Sequence, residues 1–83
     1  MQVMRPAAFD EIFDFLASTP TPEQIIAFKA SPQTQDRVRT LLDANRQGML
    51  TPDERSELDE LEKAEYFMQM LKIRAREKIS AKR

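Results

Sequence analysis

The stretch TPDERSELDELEKAEYFMQMLKIRAREKISAKR, residues 51–83, decides the fold. Thr51 stands where an N-cap hydroxyl accepts from the first turn of a helix. Pro52 suits the first helical position, and Glu54 completes a capping box by reaching back to the cap. From Asp53 to Arg83 there is neither Gly nor Pro, so only fraying is expected to end the helix. Running from Pro52 to about Ile79, such a helix is about 40 Å long at a rise of about 1.5 Å per residue. A domain of this mass does not need that length, so the helix is expected to project or to pair.

Its apolar residues fall on two sides. At about 100° per residue, Leu61, Ala64, Phe67, Met68, Leu71 and Ala75 share a sector about 120° wide, and Tyr66, Met70 and Ile73 lie across from it. The first sector is the expected core. The second is either wrapped by the rest of the chain or left for a protein partner or another copy of the chain, and Tyr66, Met70 and Ile73 are therefore the candidate partner interface.

Upstream, the hydroxyl-proline signal recurs at Thr21-Pro22 and Ser31-Pro32. Gln24 gives Thr21 a capping box, followed by Ile25, Ile26 and Phe28, which predicts a helix of about two turns. Ser31 opens a further helix with an apolar stripe of Val38, Leu41 and Leu42. That helix is expected to stop at Gly48, the only glycine of the chain, in a left-handed conformation, with Arg46 suiting the helix dipole. Before them, Phe9, Ile12, Phe13 and Leu16 are spaced for one face of a helix over about Pro6 to Ala17, and Asp10, Glu11 and Asp14 read as its solvent face. The expected fold is all-α: three short helices packed on one long C-terminal helix, a bundle that can oligomerise. Residues 1–83 form a single small domain, with a projecting or frayed basic end at about 76–83.

Composition narrows the chemistry. The 83 residues contain no Cys and no His, which removes thiolate catalysis, Cys/His zinc sites and imidazole acid-base chemistry. Ser18, Thr19, Thr21, Ser31 and Thr51 sit at helix boundaries and read as caps rather than nucleophiles. Paired carboxylates would need a substrate cleft that a few helices scarcely make. A single glycine cannot build a phosphate-binding loop. The expectation is a protein that is not an enzyme and uses no cofactor. Apolar runs are short and residues 1–18 lack the form of a signal peptide, so a soluble, cytoplasmic protein without a membrane segment is expected.

The formal net charge is -1, yet the charges are sorted along the last helix. Asp53, Glu54, Glu57, Asp59, Glu60, Glu62 and Glu65 fill its first half against Arg55 and Lys63. Lys72, Arg74, Arg76, Lys78, Lys82 and Arg83 fill the second half, opposed by Glu77. Acids near a helix N-terminus and bases near its C-terminus complement the dipole. The same basic residues are candidate phosphate contacts if the chain binds nucleic acid. Residues 43–54 also resemble a calcium loop, with Asp43, Asn45 and Gln47 at the first, third and fifth positions, Gly48 at the sixth and Glu54 at the twelfth. Calcium is not expected, because only Asp43 and Glu54 are anionic and caps explain the same residues.

The phrases FDEIFDFLAS, TPEQIIAFKAS and RVRTLLDANRQGMLTPDERSELDELEKAEYFMQMLKIRAR together resemble a group of small, functionally uncharacterised helical bacterial proteins of cyanobacterial type, often encoded beside nuclease or toxin-like genes. The resemblance spans nearly the whole chain but rests on caps and core residues, so it carries over no functional residue. It implies an antitoxin-like or accessory protein partner. The expected function is thus a protein-interaction module, with nucleic-acid binding or homo-oligomeric structural assembly as the alternatives.

Overall fold

The computed structural model describes residues 8–81, in the order α1 (Ala8–Ala17), α2 (Pro22–Ala27), α3 (Pro32–Arg46) and α4 (Pro52–Ala81). No strand occurs among the described residues, and each short helix packs on α4. Pro6, the expected start of the first helix, lies outside the described residues. α4 continues through Ala81, slightly past the Ile79 expected from sequence.

The helix boundaries follow the caps. Thr21 accepts from Gln24 N–H at 3.1 Å while the Gln24 side chain accepts from Thr21 N–H at 2.9 Å. Thr51 and Glu54 repeat that exchange at 3.1 and 3.0 Å. α3 ends with Gly48 at φ 70°, and Met49 N–H donates to Ala44 O at 2.9 Å, closing the helix with a left-handed cap. α1 ends differently. Thr19, just before Pro20, takes φ 54°, a conformation unfavourable for a β-branched residue, and this turns the chain toward α2.

Packing divides α4 into two stations. On its first half, Leu58 and Leu61 bury against Leu41, with Val38 and Leu50 alongside. Farther along, Ala64 and Met68 bury against Ile12 of α1, flanked by Phe9, Leu16, Ile25, Phe28 and Leu71. Phe15 and Phe28 join α1 to the end of α2, their rings 4.7 Å apart between centroids. The core sector read from the helical wheel is therefore occupied, except at Phe67, which is 40% exposed. Phe67 sits at the sector's edge, with its ring 6.3 Å from that of Phe9. Phe13 and Leu42 also lie at stripe edges and are exposed rather than buried. The radius of gyration is 15.0 Å, against about 12 Å for a compact domain of this length, because α4 outruns the helices that pack on it.

Three polar ties set the angles at which the short helices sit. Glu11, expected on the solvent face of α1, instead points at the N-terminus of α3. Its carboxylate accepts from Ser31 N–H at 3.0 Å, Ser31 Oγ at 2.8 Å and Thr34 Oγ1 at 2.7 Å. Burial pushes the Glu11 carboxyl up, but the bonds from the Ser31 backbone and the Thr34 and Ser31 side chains outweigh it and hold the group below its ordinary 4.5. On the other side, Arg37 of α3 makes a forked pair with Glu57 of α4, at 2.6 and 2.8 Å, which raises the arginine's pKa further. The third tie, from Lys72, belongs to the candidate site.

Two consequences can be measured. Leu41 is 0% exposed, so Leu41→Ala should cost about 2–5 kcal/mol in urea unfolding while Leu42→Ala costs under about 1 kcal/mol; equal losses would reject the α3 packing described. Because the folded-state pKa of Glu11 is lowered, its contribution is complete above the unfolded value of 4.5 and disappears as pH falls through the folded value. Glu11→Gln should therefore remove part of the acid-side loss of stability, visible as a flatter profile of stability against pH below about 4.5.

Candidate functional site

α4 is the element on which candidate functional residues collect, and its sides differ. The inner side is filled by the two packing stations. On the opposite side Tyr66, Met70 and Ile73 recur at helical spacing and are 67%, 40% and 44% exposed. The short helices, gathered on the inner side, leave this apolar row uncovered. Asp59, Glu62, Lys63 and Tyr66 border a shallow depression of about 380 Å³ at the N-terminal end of the row. Phe67 lies beside it and, through Phe9 and then Phe13 at 5.9 Å, extends the apolar area onto α1.

The basic residues form one group in the sequence, but the structure separates them. Lys72 is half-buried, and its Nζ donates to the Phe28 carbonyl at 2.9 Å, capping the C-terminal end of α2 with a positive charge. Arg74, Arg76 and Lys78 are exposed, with Glu77 Oε1 4.0 Å from Arg74 Nε. Lys82 and Arg83 lie outside the described residues. The signal that would have set Lys72 apart is its place on the wheel, on the same side as Leu58 and Glu65 rather than with Tyr66 and Ile73.

A third surface is an open groove of about 610 Å³ between the two packing stations. Ile12, Phe28, Val38, Leu58 and Met68 line its floor, and Glu11, Lys29, Glu62, Glu65 and Lys72 stand around it. The residues that resembled a calcium loop take other roles. Asp43 and Asn45 belong to the last turn of α3, where Asp43 pairs with Arg46 and Asn45 accepts from Arg55 at 2.6 Å, and Glu54 serves the cap of α4. Among the described residues no helix is long and apolar enough to cross a membrane, and no group of acidic side chains is gathered as for a metal ion.

If Lys72 is a structural tie, Lys72→Met should cost about 1 kcal/mol and speed amide exchange in α2 more than in α3. Uniform exchange across both helices would show that the Phe28 contact does not hold α2. No family model, curated protein or solved structure matches the chain.

Proposed function

We propose that the protein is a non-enzymatic protein-interaction module of the cytoplasm, and that it engages its partner through the outer side of α4. The observation that carries this reading is the row Tyr66, Met70 and Ile73. Large apolar side chains stand exposed at helical spacing on the one element that every other helix needs for packing. An apolar row of this kind, rimmed by charges, suits recognition by another helix, which sets its own apolar side into contact and leaves the polar rim to fix orientation.

The resemblance to proteins encoded beside nucleases suggests a narrower form, an antitoxin-like or accessory protein whose acidic half of α4 covers a basic cleft. The geometry favours the broader form, since two of those acids are engaged within the chain: Glu57 by Arg37 and Glu54 by its cap. The nucleic-acid alternative has less support. Lys72 is committed to Phe28 and Glu77 stands near Arg74, which leaves Arg76 and Lys78 as the other exposed cations among the described residues of that end.

The test places a photo-crosslinking residue at Tyr66 or Met70, and as a control at Asp36 on the exposed side of α3, in cells that make the protein. Protein adducts concentrated at positions 66 and 70 are expected. Adducts equally abundant at position 36, or absent from all three, would overturn the reading.

A further inference from the structure

The charges along α4 follow a regular pattern around the exposed apolar row. Asp59, Lys63, Tyr66, Met70, Ile73 and Glu77 succeed one another at alternating spacings of four and three, the seam of a two-helix coiled coil, with the apolar residues in its middle. Two rows flank the seam at seven-residue intervals. One holds Glu60, Phe67 and Arg74, the other Glu62, Gln69 and Arg76, and all six are exposed. Each row is acidic at one end, neutral in the middle and basic at the other.

A row of that form complements itself when reversed. In an antiparallel pair of helices each flanking row faces its own copy running the other way. Glu62 then meets Arg76 of the second chain, Glu60 meets Arg74, and Gln69 and Phe67 meet themselves near the twofold axis. The seam closes in the same register, with Tyr66 beside Met70 of the other copy. The depression bordered by Asp59, Glu62, Lys63 and Tyr66 lies where the second copy would bring Ile73 and Arg76. Only the outermost layer opposes like charges, Asp59 against Glu77, at solvent-exposed ends where Lys63 and Arg76 are close along the same helices. A parallel pair would set the acidic halves together and the basic halves together, and would also align the two helix dipoles.

Resting on the reading of this side of α4 as a docking surface, we infer that its occupant is a second copy of the chain, bound antiparallel through Tyr66, Met70 and Ile73 and oriented by the pairs Glu62–Arg76 and Glu60–Arg74.

The absence of native cysteine makes orientation directly readable. Full-length Glu62→Cys and Arg76→Cys chains, each folded by circular dichroism, would be mixed and oxidised. Disulfides between the two variants, and few within either variant alone, are expected. Disulfides within each variant alone would overturn the antiparallel arrangement. Since those changes remove charge, a swap supplies an independent reading by light scattering across a concentration series. Glu62→Arg should weaken the dimer about tenfold or more, and adding Arg76→Glu should restore it; a double variant no tighter than the single one would overturn the pairing. Met70→Lys should give monomers that remain folded. A wild-type chain that is monomeric throughout the series overturns the second copy as occupant. Photo-adducts of position 70 with other proteins would in that case leave the docking surface standing, whereas their absence would remove both.

Discussion

Every part of this fold depends on one apolar strip along α4, from Leu58 through Leu61, Ala64, Met68 and Leu71 to Ala75. α2 has 6 residues and α1 has 10 among the described residues, lengths at which isolated helices are unstable in water because nucleation is costly. They persist by burying Ile12, Ile25 and Phe28 against the strip. α3 does the same with Leu41 at the other station. A chain this small buries a limited share of its surface, so the polar ties at Glu11, Arg37 and Lys72 add orientation to what burial alone would leave loose. They run between elements that burial has already brought close: α1 to α3, α3 to α4, and α4 to the end of α2.

How far the sequence foretells this differs between local and tertiary features. Caps are local, and Thr21 with Gln24, Ser31, Gly48, and Thr51 with Glu54 all act where the sequence places them. The inner side of α4 is legible because five residues there are large or small apolar groups at helical period. Phe67, Phe13 and Leu42 are not, since a side chain at the margin of a stripe is buried or exposed according to where a neighbouring helix lies. Glu11 shows the same limit from the polar side. A carboxylate on an amphipathic helix reads as solvated until α3 presents Ser31 and Thr34 to it, about twenty residues away along the chain. The outer row of Tyr66, Met70 and Ile73 stands out in sequence as a second apolar face. Helical period does not tell whether the short helices wrap around to it, because it fixes a direction on one element and says nothing of how many neighbours surround it.

The two sides of α4 also differ in what they ask of the chain. Inner positions take small residues, Ala64 and Ala75, beside longer ones, and Ala64 packs with Ile12 of α1. Outer positions carry long side chains with opposite charges held far apart along the axis. That separation suits the helix dipole of a lone α4 and equally gives the helix a polarity that a neighbour can sense. One distribution of charge thus acts within the helix and outward from it, and the two roles do not conflict because the fully buried residues of the inner strip are all apolar.

The order of the elements along the chain has a consequence for how the protein comes into being. α1, α2 and α3 leave the ribosome before the strip that holds them has been made. Their apolar side chains, Ile12 and Leu41 among them, lack most of their packing surface until α4 emerges, with contacts such as Phe15 on Phe28 as the exception. A nascent chain carrying only these helices is a set of fluctuating, partly apolar segments, and domains generally fold as units during synthesis. Folding in this protein therefore waits for the last helix and then proceeds at once along its length, with the exposed interval set by how long α4 takes to be synthesised.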